Sequence, residues 1–240
     1  LRAKLPDLPY SNLWTASQLC DKLPKESTLH FGILNSLRAW NFFEVDRTIT
    51  TACNVGGFGI DGGMSACFGA SQVHSDKPYF LVIGDLAFFY DMNVLGNRHL
   101  QSNLRILLVN NGKGVEFRQH GHVAESFGDA ADQFISAAGH FGQQSADLAR
   151  NYAENLGFEY ISASSKEEFL ACYDRFVHPK VTDQPMLFEV FTDSDDESKA
   201  LKLMMNLDAD AVSQGKEKMK GMAKQLLGAK GLSLAKKIVK

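Results

Sequence analysis

Two apolar patterns alternate along this chain. Short apolar runs recur at Leu29–Leu34, Thr48–Val55, Tyr79–Ile83, Ile106–Val109, Phe158–Ala163 and Met186–Thr192. Each is brief and rich in branched or aromatic side chains, as strands buried on both faces are. Between them lie segments with helical spacing: Leu13–Leu23, Met64–Val73, Phe88–Leu100, 129–142, Ala146–Leu156, 165–177 and Ser198–Leu207. Ser165 with Glu168 three residues on is a capping box opening one of them. Strand, helix and strand in repetition predict an α/β fold, a doubly wound, mainly parallel sheet with helices on both faces. Residues 1–12, with two prolines, are expected to form a linker, 13–210 the domain, and 211–240 a separate tail.

The stretch Lys77–Phe117 carries the chemistry. The run Tyr79–Ile83 ends at Gly84-Asp85, and the run Ile106–Val109 ends at Asn110-Asn111-Gly112. In an open parallel sheet, ligands sit outside the carboxyl ends of the strands. Asp85 and Asn111, 26 positions apart, are therefore expected to meet. A carboxylate, an amide oxygen and a loop carbonyl form a hard oxygen site suited to Mg²⁺. Asp and Asn also end strands as ordinary turn residues, so spacing alone leaves both readings open.

Gly-Asp, two dozen residues and Asn-Asn resemble the motif of thiamin-diphosphate enzymes. The resemblance implies that Asp85, Asn111 and the carbonyl of Lys113 hold Mg²⁺, which clamps the diphosphate of thiamin diphosphate. Gly84, Leu86, Ala87, Gly114 and Val115 would lie along that cofactor. Gly-Asp-Leu with Tyr90-Asp91-Met92-Asn93 downstream is similar to one branch, the menaquinone-pathway 2-succinyl-5-enolpyruvyl-6-hydroxy-3-cyclohexene-1-carboxylate synthases. The likeness runs from about Thr28 to Thr192. That branch has Gly-Asn-Ser where this chain has Leu34-Asn35-Ser36, which places Ser36 at the diphosphate. Ser36 also suits a helix N-cap.

Gly57-Phe58-Gly59-Ile60-Asp61-Gly62 admits two readings. It fits the dinucleotide fingerprint G-x-G-x-x-G, with Asp85 as the following acid, and so a nicotinamide-dependent oxidoreductase. It also resembles the Gly-Ile-Asp-Gly turn of the synthase branch, which implies that Gly59 and Ile60 sit under the thiazolium and bend the cofactor. Ile60 is equally a core residue at a helix entry. After Asn111, a glycine-rich connection places Phe117, His120 and His122 as candidates to face substrate, with plain solvent exposure of the histidines as the alternative.

The resemblance implies a 2-oxo acid carboligase or decarboxylase. It also implies a partner, a pyrimidine-binding domain or subunit supplying the activating glutamate. Nothing here matches that partner, so the chain is expected to bind cofactor without turning over. A non-catalytic binding subunit is the remaining alternative, and no catalytic residue is assigned. Trp40 and Val55 stand where the branch carries substrate-binding arginines, and Arg38 is near but out of register, so the acceptor substrate stays open. The helix after the glycine turn, with small residues at 62, 63, 65, 66 and 69–71, is expected at a homodimer interface.

Composition narrows the rest. The chain has 240 residues, 45% of them hydrophobic, enough for one large domain. No apolar run approaches the roughly 18 residues of a membrane span. The chain begins at Leu1 without a signal-like segment, which suggests a fragment or processed subunit. Cys20, Cys53, Cys67 and Cys172 show no metal or disulfide spacing, as expected of a cytoplasmic protein. From Lys199 onward ten lysines face three acids, while the whole chain carries −3. The tail lacks aromatic residues and gives no support for nucleic-acid binding. Its glycines predict a weakly docked segment after Ser213.

Overall fold

The computed structural model describes residues 5–57, 59–119, 121–137 and 144–207. The basic tail 211–240, His120, Phe58 and the end of the segment 129–142 lie outside the described residues. Among the described residues are six strands: β1 Thr28–Phe31, β2 Thr50–Cys53, β3 Tyr79–Gly84, β4 Leu104–Asn110, β5 Glu159–Ala163 and β6 Met186–Phe191. The helices there are α1 Asn12–Leu19, α2 Asn35–Trp40, α3 Gly63–Ser71, α4 Asp85–Asp91, α5 Asp132–Ile135, α6 Leu148–Asn155, α7 Lys166–Phe176 and α8 Ser194–Met205.

All strand pairs are parallel, in the order β2-β1-β3-β4-β6-β5. The expected doubly wound sheet is thus the one that forms. The chain leaves β1 to one side for β2 and returns to its other side for β3. The switch point lies between β1 and β3, where open sheets of this kind bind ligands.

Alternate strand residues feed two cores. Phe80, Val82, Leu107, Val109 and Phe188 pack with Trp14, Phe169, Phe176 and Leu201 on one face. Leu81, Ile83, Ile106, Leu108 and Leu187 pack with Met64, Phe88, Ala149 and Ala153 on the other. Burial on both faces is why these strands read as unbroken apolar runs. Edge strand β2 is mostly exposed and shorter than its β-branched run suggested.

Several element boundaries differ from expectation, each for a local reason. Strand β4 begins before Ile106 because Arg105 is fully buried within it. Its guanidinium donates to the carbonyls of Phe176 (2.7 Å), His178 (2.5 Å) and Lys180 (2.5 Å). The helix expected from Phe88 starts at Asp85, stops at Asp91 and tightens into a 3₁₀ turn over Met92–Gly96. Of the helix expected over 129–142, the described residues hold the end of a 3₁₀ segment, Val123–Ala131, which Gly128 at φ 53° interrupts, and the short α5 that follows it. Within the expected linker Leu8 is buried, while Ser11, which with Asn12 is a cap candidate from sequence, does cap α1 by accepting from Trp14 N at 3.2 Å.

Candidate functional site

Strand β3 delivers Asp85 to the carboxyl edge of the sheet, where it opens α4. The residue is buried, with 1% exposure, rather than standing clear of the core. Its Oδ1 accepts the main-chain N–H of Leu86 at 2.7 Å. Its Oδ2 accepts those of Asn111 at 2.9 Å and Gly112 at 2.5 Å. Burial pushes its pKa up to about 7 against these three hydrogen bonds, and Glu189 adds to the rise. A carboxylate in this setting gains from a cation, which offsets the desolvation.

Strand β4 delivers the other half. Asn111 is buried, and its Oδ1 accepts from Lys113 N at 3.4 Å. The Lys113 ammonium is turned to Asp132 at 2.7 Å, so this residue has its main-chain oxygen to offer a metal. Gly112 takes φ 81°, the left-handed turn that lets the chain double back. Gly114 lies against α4: a Cβ there would stand 3.1 Å from Leu86 Cδ2. Val115 is buried behind it, and Ala87 packs on the core below. The structure thus brings Gly84, Asp85, Leu86, Asn111, Gly112, Lys113 and Gly114 together.

The β1–α2 turn stands beside β3 at the switch point. Ser36 is buried in the first turn of α2. Ahead of it Leu34 holds φ 63° and ψ −118°, a region that non-glycine residues avoid. The amide of Asn35 accepts from Gln119 across the cleft. Arg38 makes a forked pair with Glu116, at 2.5 and 2.9 Å, and also donates to Gln119. These contacts tie α2 to the 3₁₀ turn Val115–Arg118 that follows the loop from Asn111 to Gly114.

Sequence reasoning missed Glu116 and Gln119, and it placed Arg38 only near a substrate arginine of the resembling branch, out of register. The one signal for Glu116 and Gln119 is that basic side chain, two positions after Ser36, which needs acceptors. Arg38 lines a cavity of about 440 Å³ with Ile33, Leu34, Leu37, Phe42 and Val55. It also lines a second, of about 390 Å³, with Glu116, Gln119 and His122. Val55 therefore faces a cavity, whereas Trp40 is 3% exposed and packs on Phe31 in the core. Phe117 is in edge contact with the His122 ring.

The glycine turn is tied at both ends. Asn54 Oδ1 accepts from His30 Nε2 at 2.9 Å, and the Asn54 NH₂ donates to Gly62 O at 3.3 Å. Gly62 has φ 75° and opens α3, whose Gly63 lies over Ile83, two residues before Asp85. Gly59 and Ile60 are half-buried within this turn and line neither Arg38 cavity. Two further buried acids lie near the same edge. Glu189 accepts from Asn110 and Tyr160. Glu197 accepts from Asn12 N and Thr192 Oγ1, each at 2.8 Å.

No protein-family model matches the chain. It is similar to curated proteins named 2-succinyl-5-enolpyruvyl-6-hydroxy-3-cyclohexene-1-carboxylate synthase. Identity to that of Bacteroides fragilis is 34% over 197 residues, 82% of this chain and 34% of the relative. For Phocaeicola vulgatus it is 35% over 198 residues, again 82% and 34%. For Christiangramia forsetii it is 34% over 190 residues, 78% and 31%. The chain spans about a third of the length of the curated relatives it matches.

Proposed function

We propose that this chain, a homologue of those synthases over about four-fifths of its length, is the part of a thiamin-diphosphate-dependent 2-oxo acid carboligase or decarboxylase that holds Mg²⁺ and the cofactor's diphosphate. The observation that carries the reading is the meeting of Asp85 and Asn111 at the ends of adjacent strands. The donor set fits the group. One carboxylate, one amide oxygen and the Lys113 carbonyl leave a small cation needing phosphate and water oxygens, which is how Mg²⁺ is ordinarily bound.

In this reading Asp85, Asn111 and the Lys113 carbonyl hold the metal. Ser36, Gly84, Leu86, Ala87, Gly114 and Val115 flank the diphosphate, and Gly59 and Ile60 support the thiazolium. The strain at Leu34, beside Ser36, supports this placement, because such conformations gather at functional sites. Once bound, thiamin diphosphate supplies a nucleophilic carbon that adds to a 2-oxo acid and takes up the electron pair released on decarboxylation. The chain's own work is to orient: three N–H groups hold the Asp85 carboxylate, and the Arg38–Glu116 pair closes the loop onto α2. The activating glutamate comes from a pyrimidine-binding domain or a second subunit. The exposed small residues of α3 are our candidate for a homodimer contact. The four cysteines are free thiols, which suits a cytoplasmic enzyme. With Trp40 and Val55 in place of arginines, the acceptor substrate stays open.

A nicotinamide reading of the glycine turn is not favoured. The turn follows edge strand β2, and β1 separates β2 from β3, whose end carries Asp85. The fingerprint's acid belongs at the end of the next strand in the same unit. Calorimetric titration separates the two. Thiamin diphosphate should bind only with Mg²⁺ present and not to Asp85→Asn. Binding of NAD with no response to thiamin diphosphate and Mg²⁺ would overturn the proposal.

A further inference from the structure

In the metal-site reading the buried acid Glu189 holds neither metal nor cofactor. It is fully buried on β6, paired in register with Leu108 of β4 on one side and Ser162 of β5 on the other. Its Oε1 accepts from Asn110 Nδ2 at 2.7 Å, and its Oε2 accepts from the Tyr160 hydroxyl at 2.7 Å. Asn110 Oδ1 in turn accepts the Gly112 N–H at 3.2 Å, the same N–H that reaches Asp85. The hydrogen bonds run Tyr160, Glu189, Asn110, Gly112, Asp85, and so cross four neighbouring strands just beneath the site.

We infer that Glu189 is a positioning residue: it fixes which way the Asn110 amide faces, and thereby the turn that presents Asn111 and the Lys113 carbonyl. The inference rests on the metal-site reading above. The physical reason is the one-sided chemistry of a carboxylate. An ionised carboxylate accepts only. Facing Glu189, Asn110 must present its NH₂ there, which leaves its oxygen for Gly112. Tyr160 occupies the other Glu189 oxygen and holds the carboxylate in place. Two donated hydrogen bonds favour the ionised form of Glu189 against a burial that raises its pKa. A buried acid costs stability, and a neutral apolar residue would pack here without that cost.

Glu189→Gln tests this. If the new side chain keeps Tyr160 on its oxygen, its NH₂ confronts the NH₂ of Asn110. Asn110 must then flip, which sets donor against donor at Gly112. The double variant Asn110→Asp/Glu189→Gln restores the pattern with the charge on the other strand, since an aspartate on β4 would accept from both neighbours. Two readouts are needed. In the ligand-free chain, hydrogen exchange at the Gly112 amide should speed up about tenfold in Glu189→Gln, as expected for one lost buried hydrogen bond, and return in the double variant. Mg²⁺-dependent titration with thiamin diphosphate should weaken and recover in parallel. Unchanged Gly112 exchange in the single variant, or a double variant no better than the single, overturns the inference. A merely structural Glu189 would instead speed exchange along all of β6, with no recovery in the double variant. Failure of the wild-type chain to bind thiamin diphosphate with Mg²⁺ overturns the site reading, and the exchange arm still decides the role of Glu189.

Discussion

The Asp85 carboxylate and the Gly112 N–H meet at 2.5 Å across the ends of two adjacent strands, 27 residues apart in the chain. With Leu86 N and Asn111 N on the same carboxylate, Asp85 holds the loop, and in the proposed metal site it would supply the one negative charge. Asp85→Ala strands three buried donors and should cost about 2–4 kcal/mol of stability as well as binding. Asp85→Asn keeps an acceptor, so it should melt within a few degrees of wild type yet lose Mg²⁺-dependent cofactor binding. Asn111→Ala, which removes a neutral ligand, should weaken that binding less. Calorimetry and thermal melts on the three variants check this, and full binding by Asp85→Asn would refute it.

Leu34 stores strain beside Ser36. Its positive φ suits glycine better than leucine. Leu34→Gly should raise stability by about 1 kcal/mol, the relief of strain exceeding the extra chain entropy of glycine. For a chain of this size that is a rise in melting temperature of roughly 2–4 °C. A fall would mean that Leu34's contacts in the Arg38 cavity outweigh the strain.

Arg105 clamps the end of α7 from the opposite edge of the sheet. Burial lowers its pKa to about 10, still far above neutrality, so the charge persists. Arg105→Met leaves three carbonyls without their donor and should cost about 3 kcal/mol or more. Because Arg105 lies at the first residues of β4, away from Asp85, the affinity for cofactor in the folded fraction should not change. Urea denaturation and calorimetry on this one variant test both halves.

Glu197 gives stability a pH dependence of unusual sign. Burial pushes its pKa up to about 7, against hydrogen bonds from Asn12, Thr192 and Asn35. Below its ordinary value of 4.5 both folded and unfolded states hold the proton. Between there and about 7 the unfolded chain has lost it and the native chain retains it, so stability falls as pH rises. Above that range both are ionised and the fall levels off. The loss is on the order of 3 kcal/mol. Glu197→Gln should flatten the decline in urea midpoint between about pH 4 and 8. It will not abolish the decline, because Asp85 and Glu189 are also raised. A wild-type midpoint that rises through this window would contradict the argument.

Much of the fold was legible because burial on both faces forces apolar runs. Tyr79–Ile83 and Met186–Thr192 announce β3 and β6 almost residue for residue. Arg105 hid the start of β4, since a charge inside a central strand is readable only once its three carbonyl acceptors are in view. The helix expected from residue 129 forms only as the short α5, because the chain enters it through a 3₁₀ segment that Gly128 interrupts with a positive φ. Leu8 passed for linker because the core it joins is built from residues far along the chain.

Hydrophobic period and turn chemistry are local properties. They were enough to set the alternation of strand and helix, and with it the place of Asp85 and Asn111 at strand ends. Three-dimensional packing added what no local pattern holds: Asp85 buried under three N–H groups, Arg38 paired with Glu116 across the cleft, and Glu189 reaching Asn110. These are contacts between strands and loops distant in sequence. Their geometry depends on strand order and register, which periodicity does not encode.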